Sequence, residues 1–176
     1  MRRTVAVAVA LILALTLASS ATATRPGTTT EVSGTWTWVY TNRIFTPMPT
    51  GDMVVDGTDT GTWTGTFEGT SNEVFRATRT PPLGAFVAGG TWGDVWGALA
   101  VTFTGRVDGK RGTMTIWVTY HRPAQTLASA DALSMSGTWT ILSGTEALKD
   151  VSGNGTWVSA ADGASTAPYV GTITWH

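Results

Sequence analysis

Tryptophan is the residue type whose number and spacing most clearly suggest a binding chemistry in this sequence. The chain has nine tryptophans, and five of them end a repeated Gly-Thr-Trp triplet. Small-molecule sites are concave and largely aromatic, so converging indole rings could hold an apolar or ring-bearing ligand. The same rings could instead fill the interior of a small barrel completely. The residues that we predict to line a ligand site are Trp36, Trp38, Trp63, Phe67, Phe103, Trp139, Trp157 and Trp175.

The two histidines give little support for catalysis. His121 ends a β-rich run and His176 ends the chain, and neither lies in a motif with spaced carboxylates or another histidine. One histidine can act as a general base, but a rim or surface position is the simpler interpretation. Two distant imidazoles also do not make a metal site. We therefore assign no catalytic residue, no metal ligand and no cofactor.

Four carboxylates, Asp52, Asp56, Asp59 and Glu68, are grouped near a predicted turn. Calcium loops place their oxygen ligands at defined offsets, which these residues do not match. A glycosidase needs two carboxylates that face each other across a cleft, and the spacing reveals no such pair. Glu68 is predicted to be a solvated strand residue. Neither calcium binding nor glycoside hydrolysis is favoured.

The N-terminus has the layout of a secretory signal peptide. Arg2 and Arg3 precede an apolar run from Thr4 to Ala18, and the small-residue triplet Ala21-Thr22-Ala23 follows. A membrane-spanning helix needs about 20 apolar residues, which is more than this run supplies. We predict a signal peptide over residues 1–23, cleavage after Ala23, and a secreted or periplasmic product with no membrane attachment.

Charge and composition exclude several other functions. Cleavage would leave nine of the eleven basic residues against twelve acidic ones, and nucleic-acid binding needs clustered Lys and Arg. The mature chain has one adjacent basic pair, Lys110-Arg111. Arg76, Arg79 and Arg106 could anchor an anion, but surface positions are the default interpretation. Cysteine is absent, which excludes disulfides, thiol catalysis and cysteine-ligated zinc.

The elements that would position these residues are β-strands. Trp36, Trp38 and Tyr40 share one face of an extended segment, and Thr37 and Val39 share the other. The same alternation recurs around residues 60–67, 135–141 and 171–175, with aromatic residues or glycine on one face and threonine on the other. This pattern is typical of an antiparallel sheet with one buried face.

Turn signals divide the chain into strands of one domain. Asp56-Gly57, Pro81-Pro82, Asp108-Gly109 and Asp162-Gly163 stand between β-rich runs, and Asp-Gly is a strong hairpin signal. Residues 24–32 are predicted to be a flexible leader and residues 33–176 a single domain, with a short helical turn within 125–133. The predicted strands cover 34–41, 51–56, 60–69, 73–79, 96–106, 111–121, 134–142 and 153–160, with 170–175 as a ninth.

The predicted fold is all-β, a small antiparallel barrel of eight or nine strands. Closure of the sheet removes unpaired edges, which suits many short strands with one aromatic face. A β-sandwich is the alternative.

Residues 105–157 resemble a known family. Asp108-Gly109 and a following strand precede a loop with Gly144-Thr145, Leu148, Val151, Gly153 and Gly155, while Glu146 stands where that family's loop has its third glycine. This pattern resembles the bacterial domain-of-unknown-function family 3224, which is itself similar to the allene oxide cyclase and dirigent proteins. The resemblance implies a short eight-stranded barrel with a central cavity, and it implies no catalytic residue for this chain.

Three functions follow from these observations. The favoured one is non-enzymatic binding of a small hydrophobic or ring-bearing molecule inside the barrel. The alternatives are a cyclase- or dirigent-like enzyme acting in the cavity, and an extracellular interaction domain with a filled barrel. No nucleic-acid partner is expected, and the sequence does not determine the oligomeric state.

If the signal peptide is cleaved as predicted, the exported protein begins near Thr24. Intact-mass spectrometry of protein recovered from the culture medium or periplasm checks this expectation. A first residue elsewhere would contradict the cleavage site, and retention of the whole chain in the cell would contradict export.

Overall fold

The computed structural model describes residues 27–83, 90–126, 134–159 and 165–176, which form β-strands and one 3-10 turn. The predicted signal peptide and cleavage site lie outside these residues. The elements are β1 (Thr28–Pro47), β2 (Met53–Gly65), β3 (Phe67–Arg79), β4 (Thr91–Trp92), β5 (Val95–Val107), β6 (Lys110–Arg122), β7 (Gln125–Thr126), β8 (Ser136–Gly144), the 3-10 turn Glu146–Leu148, β9 (Val151–Val158) and β10 (Thr166–Trp175).

Eight strands form a closed antiparallel barrel in the order β1-β10-β9-β8-β6-β5-β3-β2. The ring closes where the first strand pairs with the last, from Thr28 opposite Trp175 to Thr37 opposite Thr166. Strands β4 and β7 form a separate two-stranded sheet. The predicted small eight-stranded barrel is confirmed, and the sandwich alternative is not observed.

The turn predicted at Asp56-Gly57 is wrong, because both residues lie in the middle of β2. Gly57 is buried, and a Cβ there would collide with the ring of Phe75 on β3. The glycine therefore makes room for a neighbouring ring and does not bend the chain. The turn lies at Gly65, whose φ is +96°, so the predicted strand 60–69 is divided between β2 and β3.

The barrel also begins earlier than predicted. Strand β1 starts at Thr28, and residues 28–32 pair with β10, so this part of the expected leader belongs to the sheet. The optional ninth strand at 170–175 is part of β10. Gln125 and Thr126 form β7 and do not start a helical turn. Residues 127–133 and the predicted Asp162-Gly163 turn lie outside the described residues.

The hairpin turn between β5 and β6 is where the sequence predicted it. Asp108 and Gly109 have φ values of 50° and 76°, as a two-residue type I′ turn requires. Besides Asp108, the other non-glycine residue with a positive φ among the described residues is Glu146, with φ 54°, at the position where the loop of the resembling family has glycine. A long side chain therefore occupies a backbone conformation that glycine adopts more readily.

Large rings and glycines alternate with threonines along the strands as predicted. Of the nine tryptophans, six are at most 5% exposed, whereas Trp96 and Trp117 point outward at 56% and 43%. Threonines of neighbouring strands pair on the outer face, as in the 2.8 Å hydrogen bond between Thr119 and Thr138. The inward face is thus the core and the outward face is hydroxyl-rich.

One end of the barrel is filled by side chains. Tyr169 fixes the β2–β3 connection there, since its hydroxyl accepts a hydrogen bond from the Phe67 amide at 2.9 Å and donates one to the Thr64 carbonyl at 3.1 Å. The side chains at this end that are fully buried include Phe67, Phe103, Val107, Met114, Leu148 and Ile173.

Candidate functional site

The other end of the barrel contains an open cavity of about 290 Å³. Strands β1, β3, β6 and β9 end here, and β2, β5, β8 and β10 begin here. The interior is therefore solid at one end and hollow at the other. The apolar wall of the cavity includes Trp36, Trp38, Val55, Phe75, Ala77, Val95, Leu99 and Trp157.

The eight residues predicted to line a ligand site lie in three different places: in the cavity wall, in the core beneath it and at the filled end. Trp36, Trp38 and Trp157 line the cavity. Trp63, Phe67, Phe103 and Trp139 are buried beneath it, where they pack on one another and on Tyr169. Trp175 is half-buried at the filled end, and the Lys110 ammonium lies 3.4 Å from its ring centroid.

Packed indole rings form the floor of the cavity. Trp36 stacks on Trp63, with ring centroids 5.3 Å apart and planes 14° from parallel. Trp38 lies 4.9 Å from Trp36, and Trp157 meets Trp36 edge-on at 5.5 Å. Rings held this way lose little further freedom on contact with a ligand, so the floor is preorganised.

A chain of hydrogen bonds joins this floor to a buried carboxyl group. Trp63 Nε1 donates to Ser71 Oγ at 2.9 Å, and Trp36 Nε1 donates to Glu73 Oε1 at 2.9 Å. Because an indole N–H only donates, Ser71 Oγ is the acceptor from Trp63, and its own hydroxyl donates a hydrogen bond to Glu73 Oε1 at 2.5 Å. Oε1 thus accepts two hydrogen bonds, and a proton carried by Glu73 belongs on Oε2, which has no hydrogen-bond partner.

Gly61 leaves the space that this network occupies. A Cβ at this inward-facing position of β2 would collide with Glu73 Oε1, Ser71 Oγ and Trp36 Nε1. The glycine of the second Gly-Thr-Trp triplet therefore makes room for polar groups from two neighbouring strands.

Asp59 and Glu73 are direct partners across β2 and β3, and both are buried, at 4% and 1% exposure. Burial, together with the neighbouring Glu73 carboxyl, raises the pKa of Asp59 to about 7, against the opposing effect of Arg43. Burial also raises the pKa of Glu73, although its hydrogen bonds from Ser71 and Trp36 oppose this. Asp59 Oδ1 and Glu73 Oε2 have no hydrogen-bond partner, so this pair can hold or move a proton beside the cavity.

Three arginines, Arg43, Arg79 and Arg122, line the mouth of the same cavity. The Arg79 and Arg122 guanidiniums lie 4.2 and 4.8 Å from the ring centroid of Trp92, which β4 places outside the barrel. Burial, followed by the charge of Arg79, lowers the pKa of Arg122 to about 10. Within the described part of the chain, no carboxylate oxygen lies within 4.0 Å of any of these three guanidiniums.

The sequence interpretation missed most of these polar residues. Asp59 was predicted to lie near a turn, but it lies in β2 with its side chain inside. Arg79, predicted to be a surface residue, lines the cavity. The sequence interpretation did not single out Glu73 or Arg122. Glu73 lies an even number of residues from Phe67, Ser71 and Phe75 on the same strand, and this spacing indicates that its carboxyl group faces inward.

The other candidate residues are outside the cavity. Glu68 and Arg106 are exposed as predicted, and Arg76 forms a surface ion pair with Asp56 at 2.7 Å. His121 contacts Asp94 at 3.0 Å and stacks on Trp96.

The described residues contain no group of three His, Asp or Glu side chains arranged to hold a metal ion. In residues 27–83, 90–126, 134–159 and 165–176, no helix is long and apolar enough to cross a membrane.

Comparisons with known proteins support the fold. No protein-family model matches this chain, and no curated protein matches it. A solved structure from Shewanella oneidensis MR-1, described as a protein of unknown function from the DUF3224 family, superimposes with a TM-score of 0.60 at 14% identity. The match covers 85% of this chain and 98% of that one. At this identity the likeness shows a shared fold and nothing about activity.

The raised pKa of Asp59 makes stability depend on pH. The folded state holds this proton more tightly than the unfolded chain does, so the free energy of unfolding falls as pH rises from about 4 to about 7 and then levels off. We expect Asp59→Asn to reduce this fall by on the order of 1–2 kcal/mol, since solvent in the cavity screens the carboxylate.

Urea denaturation at pH 5 and pH 8 measures the change in stability. Asp108→Asn, in the exposed β5–β6 turn, is the matched control and should keep the wild-type difference. If Asp59→Asn keeps it as well, Asp59 does not hold its proton in the way the geometry indicates.

Proposed function

We propose that this protein binds a small hydrophobic, ring-bearing molecule in the open end of its barrel. The observation that carries this proposal is the cavity of about 290 Å³ walled by Trp36, Trp38, Trp157 and Phe75. Sites for small molecules have this character, with a concave, aromatic wall and a few polar groups. Side chains could have filled the whole interior of an eight-stranded barrel, but here they fill only one end.

We also propose that the chain is a divergent relative of the domain-of-unknown-function family 3224, with an allene oxide cyclase- or dirigent-like barrel. The glycine and apolar spacing from Gly144 to Gly155 supports this, as does the fold shared with the Shewanella protein. Export to the periplasm or the medium is part of the same proposal and rests on the N-terminal sequence.

A second candidate function is catalysis in the cavity, which the buried carboxyl pair favours. Asp59 lines the cavity and faces Glu73 across two paired strands. A carboxyl group with its pKa near 7 can both give and take a proton at neutral pH, as general acid–base catalysis requires. A cyclase- or dirigent-like reaction would use Asp59 as the proton-transferring group.

The interaction-domain alternative has less support. It requires exposed aromatic residues in one contiguous patch. The exposed aromatic residues lie apart: Tyr40 and Phe45 are on β1, whereas Trp96 and Trp117 are on β5 and β6, four positions apart along the paired strands.

Filling the cavity should abolish binding. Ala77 lies on the wall of the cavity, so Ala77→Phe would place a ring in the space that a ligand needs. We expect the affinity for the apolar fluorescent probe N-phenyl-1-naphthylamine to fall at least about tenfold, a loss of about 1.4 kcal/mol. A fluorescence titration measures it.

The matched control is Val74→Phe on the same strand, because Val74 is 62% exposed on the outer face. This variant should bind the probe like the wild type. The proposal fails if the wild type does not bind the probe, or if Ala77→Phe folds and binds it equally well.

The fate of the bound molecule separates binding from catalysis. A binding protein returns its ligand unchanged, whereas an enzyme returns a product, and Asp59→Asn would then bind the substrate without converting it. Mass spectrometry of compounds that co-purify with the wild type and with Asp59→Asn measures this. Identical, unaltered compounds from both proteins would exclude the catalytic function.

A further inference from the structure

Binding of an apolar molecule does not account for the arginines at the mouth of the cavity. Removing a guanidinium from water is costly unless a partner compensates its charge and its hydrogen bonds. Among the described residues, the three arginines of the mouth have no carboxylate within ion-pair distance. Within the described residues, the mouth of the cavity therefore presents positive charge with no carboxylate paired to it.

Arg122 is the most constrained of the three. It is only 5% exposed, although it carries five N–H donors. Its Nη2 donates a long hydrogen bond of 3.5 Å to the Gly93 carbonyl, and its Nε has no partner among the residues that the structure describes. A buried donor in a cavity wall destabilises the protein when nothing accepts its hydrogen bond, and a ligand that accepts it removes this cost.

Arg79 reinforces this site from β3, which is separated from β6 by β5. Both guanidiniums pack on Trp92: Arg79 lies 4.2 Å and Arg122 4.8 Å from its ring centroid. Burial lowers the pKa of Arg79, and the charge of Arg43 lowers it further. The positive groups are thus close enough to repel one another, and a bound anion would relieve that repulsion.

Among the described residues, Asp94 is the carboxylate whose charge acts on Arg122, and it is already engaged. Asp94 Oδ1 contacts His121 Nε2 at 3.0 Å and accepts a hydrogen bond from the Ala124 amide at 3.1 Å. The charge of Asp94 opposes the lowering of the pKa of Arg122 by burial, but the Asp94 carboxylate oxygens lie beyond ion-pair distance from the guanidinium.

We propose that the molecule bound in the cavity is a ring-bearing carboxylate, with its carboxylate on Arg79 and Arg122 and its ring on Trp36, Trp38 and Trp157. This inference rests on the proposed binding function and adds the charge of the ligand. Arg79 and Arg122 are the last residues of β3 and β6, whereas Trp36 and Trp38 lie in the middle of β1, so the ligand enters ring first. A guanidinium pairs with a planar carboxylate through two parallel hydrogen bonds.

A single negative charge fits this cavity better than two. Asp59 and Glu73 lie below the arginines and face each other across β2 and β3. A dianion such as a phosphate monoester would meet these carboxyl groups with greater repulsion than a carboxylate does.

The test compares two probes of nearly equal shape, 2-naphthoate and the uncharged 2-naphthamide, by isothermal titration calorimetry at pH 6. We expect the wild type to bind 2-naphthoate at least about tenfold more tightly than 2-naphthamide. Arg79→Met and Arg122→Met should each bring the two affinities to within about twofold, with little change for the amide. Methionine keeps much of the apolar stem that covers Trp92.

Arg76→Met is the matched control, because Arg76 lies on β3 three residues before Arg79 but points outward to Asp56. It should keep the wild-type preference. If Arg122→Met does not fold, the preference of the wild type and its loss in Arg79→Met still decide the question.

Equal affinities of the wild type for the two probes would overturn the carboxylate inference and leave the proposed binding function standing. A loss of preference in Arg76→Met as large as in Arg79→Met would also overturn it, since general surface charge would then explain the effect. If the wild type binds neither probe, the binding function fails together with this inference.

Discussion

An indole ring fits inside this narrow barrel only where the facing strand position leaves room for it. The inward glycines provide that room. A Cβ at Gly155 or Gly171 would enter the ring of Trp139, and a Cβ at Gly57 would enter that of Phe75. Glycine and large aromatic residues thus occupy complementary positions on different strands. The Gly-Thr-Trp triplet supplies both the small residue and the large ring. Because the packing of an interior is dense, this complementarity decides which parts of the barrel are solid.

The same constraint explains how polar groups are accommodated among the rings. Four of the buried indole N–H groups donate to identified acceptors: Glu73 for Trp36, Ser71 for Trp63, and main-chain carbonyls for Trp139 and Trp157. Buried tryptophans usually need such a partner. The carboxyl of Glu73 therefore has a structural role as well as any chemical one. Asp59 has no comparable set of donors: among the described residues its buried Oδ1 has no hydrogen-bond partner, although its side chain lines the cavity.

Features that depend on local sequence could be predicted, and features that depend on strand pairing could not. The Asp108-Gly109 turn was predictable because a type I′ turn requires two left-handed residues in succession. Asp56-Gly57 is the same dipeptide, but Gly57 is needed because the ring of Phe75, on another strand, leaves no room for a Cβ. The alternation of rings and threonines gave the inward face correctly. It could not reveal that Asp59 faces Glu73, since register across strands is set by the whole sheet.

The barrel has one sealed end and one open end, and this asymmetry has a kinetic consequence. A molecule that reaches the tryptophan floor has to leave by the route it used to arrive, past Arg43 and Phe45 at the rim. Rim residues would then govern the passage in both directions and change the association and dissociation rates together, with little effect on equilibrium. Residues of the wall that contact the bound molecule, such as Trp157, would instead change mainly the dissociation rate, and with it the affinity.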